Sequence, residues 1–191
     1  MKKMKRLVTL LLAGVLALAM LTGCDGQTNV DLSDQLAQKA TEAYAKALGV
    51  KAEEVQLTEE AAAFNKATLD RIGEDGVLPI GKDEGEIDTP MLRFRNKEEK
   101  IKNNYYHSIV TLVPFGGERT PTGNGYRYSV TTLKAEQVNA ILSGSLEGLN
   151  ADYISQAKKF KIKGVGVSAK KLKDGTYCYV LTLDATNEPN T

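Results

Sequence analysis

One imidazole, two thiols and 24 carboxylates are the groups from which any chemistry of this 191-residue chain has to be built. The imidazole is His107, which follows Tyr105 and Tyr106 and precedes Ser108. Near neutral pH an imidazole beside phenols and a hydroxyl can take a proton or hydrogen-bond a ligand. Tyr105, Tyr106 and His107 are therefore the candidate cavity residues, set against the plainer reading of a strand histidine bonded to a hydroxyl or carbonyl. A Ser-His-Asp hydrolase would have to draw its base from His107, and no Gly-x-Ser-x-Gly elbow accompanies it; Ser143-Gly144-Ser145 reads as a helix end. Clustered Cys and His for zinc are lacking, so neither a metal nor another cofactor is expected. No Gly-x-x-x-x-Gly-Lys-Ser/Thr is present, and Gly164-Val165-Gly166 falls inside a strand, where glycine admits the close approach of another backbone. Paired carboxylates for sugar hydrolysis stay open, because 24 acids make many pairs and nothing singles one out. No residue is assigned a catalytic role.

The two thiols have different settings. Cys178 lies in the alternating run 176–183 (TYCYVLTL), with no basic neighbour or His nearby to lower its pKa, so it reads as a small buried hydrophobe. Cys24 ends a segment of another kind. Lys2, Lys3, Lys5 and Arg6 form a cationic start, and residues 7–21 (LVTLLLAGVLALAML) are apolar and small apart from Thr9. Fifteen residues at about 1.5 Å each fall short of a ~30 Å hydrocarbon core but match the apolar region of a signal peptide. The run closes in Leu21-Thr22-Gly23-Cys24, which resembles the lipobox of bacterial lipoproteins. That resemblance implies a diacylglyceryl thioether on Cys24, cleavage just before it, and a place on the outer face of a bacterial cell membrane. The partners expected are then the membrane, through diacylglyceryl-Cys24, and an extracellular ligand or protein of unknown identity. With Cys24 so modified, Cys178 is the only thiol left and no intramolecular disulfide can form.

Charge narrows the function classes further. The formal charge is +1, but taking the four N-terminal cations from 25 leaves 21 against 24 acids, a net of −3 from Cys24 onward. A basic nucleic-acid-binding domain is excluded as a leading reading.

The elements that must position these residues follow from spacing. Residues 1–23 are the signal peptide, 24–32 a lipidated tether, 33–185 a single domain and 186–191 a flexible tail. Ser33 caps a helix running to about Leu48 and stopped by Gly49, and Thr58 opens and caps a second helix whose buried stripe is Ala61, Phe64, Ala67, Thr68 and Ile72. Residues 73–93 read as loop, punctuated by glycine and proline. Residues 97–104 read as a short, charged, exposed helix. Strands are expected at 107–115 and 126–132, joined by a long glycine-rich connection over 116–125. A helix over 133–142 and a less regular helical stretch over 146–159 precede two strands, 161–169 and 176–184, turned by Asp174-Gly175. In the first of these, Val165 and Val167 should face the core, with Gly164, Gly166 and Ile162 on the other face. The class expected is α+β, an antiparallel sheet covered by helices.

Three stretches carry a wider resemblance. Residues 40–49 (ATEAYAKALG) with 57–67 (LTEEAAAFNKA), residues 138–143 (VNAILS), and residues 162–168 (IKGVGVS) with 174–180 (DGTYCYV) are similar to the opening helices, a middle helix and the closing strands of the CAP (SCP-like) superfamily. The resemblance implies an α/β/α sandwich. It also implies a cavity marked by two His and acidic partners, and here the chain departs from it. One His cannot make the pair, residues 145–150 (SLEGLN) stand where the second is expected, and residues 106–109 (YHSI) lack the family's Glu. The expectation is a degenerate CAP-like domain, a lipid-anchored extracytoplasmic binding or interaction module without catalysis. The alternative is a cell-wall-active hydrolase using carboxylates and His107. A clamshell solute binder would need two domains, and this chain has material for one.

Overall fold

The computed structural model describes residues 31–51, 55–88, 90–147, 149 and 152–188. The signal peptide, Cys24 and the tether up to residue 30 lie outside the described residues. Residues 31–191 form one compact unit.

Helix α1 (Ser33–Leu48) buries Leu36, Ala40, Ala43, Tyr44 and Leu48 at helical spacing and stops at Gly49, whose φ of +81° places its N–H on the carbonyls of the last turn. Ser33 is its first residue rather than its cap. Asp31 Oδ1 instead accepts from the Ser33 N–H (3.0 Å) and hydroxyl (2.6 Å). Helix α2 (Glu59–Arg71) is capped as expected, the Thr58 hydroxyl accepting from the Ala61 N–H at 3.2 Å. Its buried face differs from the expected stripe. Ala61, Asn65 and Thr68 are buried with Ile72 beyond them, Phe64 is half-buried and Ala67 is exposed. The helix presents a polar seam to the sheet because the strand beneath it is itself polar.

The sheet is antiparallel and seven-stranded: β1 (Val77–Gly81), β2 (Glu86–Asp88), β3 (Met91–Lys100), β4 (Tyr106–Thr122), β5 (Gly125–Val130), β6 (Lys161–Lys171) and β7 (Tyr177–Thr186). The strand order β1-β5-β4-β3-β2 branches at β4, whose first half pairs with β7 and, through β7, with β6. A bulge between Phe115 and Arg119, with Gly117 at φ +84°, lets β4 take β5 as a partner for its second half. Helices α3 (Ala135–Leu142) and α4 (Asp152–Ala157) lie between β5 and β6 in the chain.

Alternation along β7 sets the layers. Tyr177, Tyr179, Leu181 and Leu183 join Leu36, Tyr44, Val138, Ile141 and Ile154 in a core under α1, α3 and α4. Cys178 and Val180 join Ile72, Leu78, Leu92, Phe94, Val113 and Phe115 in a second core on the opposite face. On that face Asn65 of α2 donates to Thr182 of β7. Helices therefore cover both faces of one antiparallel sheet, an α+β domain.

Several expectations are corrected. Residues 73–93 hold β1, β2 and the start of β3, since Leu78 and Ile80 alternate with Pro79 on an edge where its missing N–H is tolerated. Residues 97–100 belong to β3 and not to a helix, because the β4 ladder fixes the backbone while the charged side chains stay in water. The connection over 116–125 is itself strand, closed by a tight turn at Gly123-Asn124. Leu133 bridges Tyr177, so α3 starts two residues later than expected, and α4 covers only part of 146–159. Thr186, assigned to the tail, is a buried strand residue paired with His107 and Lys161.

The closing hairpin turns at Gly175, φ +86°. Val165 and Val167 point into the first core, and both glycines lie against the connector before α2. A Cβ on Gly164 would come within 2.8 Å of the Gln56 carbonyl oxygen, and one on Gly166 within 2.5 Å of Leu57 Cδ1. Ile162 does not share the glycine face. A bulge at Lys163 shifts the register so that Ile162 sits opposite Ala185 and packs on the valine side.

Candidate functional site

The expected cavity trio is divided by the pleat of β4. Tyr105 lies in the turn before the strand, where its N–H donates to the Lys102 carbonyl (3.0 Å) and its carbonyl accepts from Ile101 (2.8 Å). Tyr106 and His107 are consecutive strand residues and point to opposite faces.

On the α2 face, His107 Nε2 meets Asp184 Oδ1 at 2.6 Å. The Asp184 side chain is 2% exposed and that of His107 23%. Asp184 Oδ2 accepts from the Thr58 hydroxyl at 3.3 Å, so this carboxylate ties the α2 N-cap, β7 and β4 together. Beside it runs a buried polar row. Asn65 Nδ2 reaches Thr182 Oγ1 (2.9 Å) and the carbonyls of Val180 (3.2 Å) and Gly166 (3.3 Å), Thr182 meets Thr111 (3.0 Å), and Asn96 Nδ2 donates to Thr111 (2.6 Å). With both carboxylate oxygens of Asp184 engaged, the His107–Asp184 pair acts as a latch between helix and sheet. Asn65, Thr111 and Asp184 were absent from the sequence candidates. The period-2 polar positions Thr182, Asp184 and Thr186 between Leu181, Leu183 and Ala185 are the signal that could have found the row.

On the other face, Tyr106 lines a groove of about 290 Å³ beyond α4. Its floor is Val110, Leu183 and Ala185, and its aromatic walls are Tyr106, Tyr153 and Phe160. Tyr106 (37%) and Phe160 (43%) stand exposed at its mouth. Two Arg–Glu pairs close one end. Arg93 bonds Glu86 and holds that carboxyl below its usual range, and Arg95 meets Glu98 at 2.6 Å. The apolar floor, aromatic walls and paired charges suit a ligand with an apolar portion and hydrogen-bonding groups. The His107 imidazole lies on the opposite side of the sheet and cannot reach this groove. Cys178 belongs to the second core, fully buried, and burial pushes its thiol up to about 11.

Among the described residues no group of three or more His, Cys, Asp or Glu is placed to hold a metal ion, and no helix is long and apolar enough to cross a membrane. The chain matches no protein-family model, no curated protein and no solved structure.

Proposed function

We propose that this chain is a lipid-anchored extracytoplasmic binding module, held to the outer face of a bacterial membrane through Cys24 and receiving its ligand in the groove beside α4. The observation that carries the binding role is the groove itself, an apolar floor between aromatic walls with no imidazole or thiol facing it. The lipobox at 21–24 carries the anchor. Helices on both faces of the antiparallel sheet, together with the Gly164-Val165-Gly166 strand against the α2 connector, support a CAP-like sandwich as the architecture.

The test of the anchor is metabolic labelling with a fatty-acid analogue followed by membrane fractionation. Wild-type protein should carry label and sediment with membranes, and Cys24→Ala should lose the label and remain uncleaved. Unmodified wild-type protein released into the medium without detergent would overturn the reading. The hydrolase alternative draws on the His107–Asp184 pair. Peptidoglycan turnover by wild type that disappears in Asp184→Asn would put that alternative first.

A further inference from the structure

Among the described residues four large apolar side chains stand exposed, and three of them, Ile101 (37%), Tyr106 (37%) and Phe160 (43%), gather at one end of the sheet. Tyr106 and Phe160 share the groove mouth, and Ile101 bonds through its N–H to Tyr105 in the turn before β4. Each apolar tip is flanked by lysines. Lys100 and Lys102 bracket Ile101, Lys100 sits opposite Tyr106 in the β3–β4 ladder, and Lys158, Lys159, Lys161 and Lys163 flank Phe160 along the chain, with Lys161 turned to the His107 face. None of these six lysines is ion-paired, whereas Lys39, Lys66 and Lys97 elsewhere each hold a carboxylate. Of the nearby acids, Glu98 is engaged by Arg95 and Glu99 by Lys97, while Glu188, next to the Asn187 that bonds Tyr106, holds no cation among the described residues. The turn that carries Lys102 is held out by Asn103 and Asn104 in the left-handed region, φ +54° and +65°. In a domain whose overall charge from Cys24 onward is negative, six lysines against one free carboxylate make a local excess of positive charge beside protruding apolar groups.

We propose that this end is a second membrane contact, in which Ile101, Tyr106 and Phe160 enter the headgroup region of an anionic bilayer and the six lysines meet lipid phosphates. Cations near an anionic surface and apolar side chains at its boundary are the two contributions that hold a protein on lipid from one side. The placement of the chain's start fits. The Leu32 N–H lies 3.4 Å from the Tyr177 hydroxyl, at the far end of β7 from Thr186 and on the same face of the sheet as the groove. At about 3.3 Å per residue, the ten residues of β7 separate the two points by roughly 30 Å. A chain tethered at one end and docked at the other lies along the bilayer. Its groove then opens onto the lipid surface, and the ligand comes from that surface. Two acyl chains on Cys24 suffice for retention, so the lysine-ringed end sets orientation. The inference rests on the membrane placement proposed above.

The chain contains no Trp, so a single introduced indole reports position. The processed, lipidated protein carrying Phe160→Trp is reconstituted in vesicles of phosphatidylcholine alone or mixed with phosphatidylglycerol, each containing a nitroxide-labelled lipid. Tyr106→Trp serves as a second probe, and Ile87→Trp, exposed in β2 on the opposite face, as the control. Indoles at 160 and 106 should be blue-shifted and quenched in the anionic vesicles, and the indole at 87 should not. The effect should vanish in about 1 M salt, where the Debye length falls to about 3 Å, and in a Lys158→Glu/Lys159→Glu/Lys163→Glu background. Equal quenching at 87 and 160, or quenching at 160 that persists in phosphatidylcholine or high salt, overturns the proposal. So does a blue shift produced by soluble polyglutamate with no change on vesicles. Protein that fails to float with vesicles refutes the anchor, whereas protein that floats with unquenched indoles refutes the docking face alone.

Discussion

Replacing Gly164 by alanine tests the close approach of the 56–57 connector to β6. The added Cβ would stand 2.8 Å from the Gln56 carbonyl oxygen, 3.2 Å from Leu57 Cα and 3.3 Å from the Cβ of buried Asp184. Two of these neighbours are backbone, and the third belongs to a carboxylate bonded to both His107 and Thr58, so none can swing aside as a side-chain tip would. Overpacking of this kind costs about 1–3 kcal/mol, offset by up to about 1 kcal/mol from the stiffer unfolded chain. The net expected is a loss of about 1–2 kcal/mol. For a domain of about 150 residues each kcal/mol moves Tm by about 2–4 °C, so Tm should fall by roughly 2–8 °C. The paired control is Gly123→Ala, where a Cβ meets nothing within 4 Å and φ is not left-handed. Thermal denaturation followed by circular dichroism on both variants is the assay. A Gly164→Ala protein as stable as Gly123→Ala would show that the 56–57 connector does not lie on β6, and the account of that edge would fail.

Asn65→Ala removes a buried donor shared by Thr182 and two carbonyls and should cost about 1–3 kcal/mol in urea unfolding; an unchanged midpoint would show that the polar row is not closed by α2. Val165→Asp places an unpaired charge in the first core, where Val165 is 2% exposed, and should lower Tm severely; an unchanged Tm would remove β6 from the core. Cys178, with its thiol near 11, should be about one-thousandth thiolate at pH 8, so peptide mapping should find it unalkylated in the native protein and fully alkylated in denaturant. Rapid native labelling would contradict its burial. With His107 committed to Asp184, calorimetry at neutral pH should detect no submicromolar zinc, and stoichiometric zinc lost in His107→Ala would overturn the latch.

The elements that were readable along the chain are those whose signals are local. A run of apolar residues at helical spacing ending in glycine gave α1, Thr58 before two glutamates gave the start of α2, and Asp174-Gly175 gave the closing hairpin. The lipobox is local as well, and the expectation of a close approach at Gly164 and Gly166 needed only the rule that glycine inside a strand leaves room for something. Short strands such as β1 and β2, and the charged half of β3, carried no such signal. Proline, glycine and lysine there say turn or solvent, and only ladder partners distant in the chain hold those residues extended.

The candidate site divides along the same line. That His107 is the only imidazole, that Cys178 is a core residue and that Val165 faces inward follow from composition and alternation alone. The tertiary structure decided the rest: that Tyr106 and His107 serve opposite faces, that the imidazole finds Asp184 77 residues away, and that Tyr106 and Phe160 meet at the mouth of one groove. Alternation is a property of adjacent residues and can be read in order. A buried ion pair or a charged rim forms only where the sheet brings distant strands into register, and that register comes from burying both faces at once.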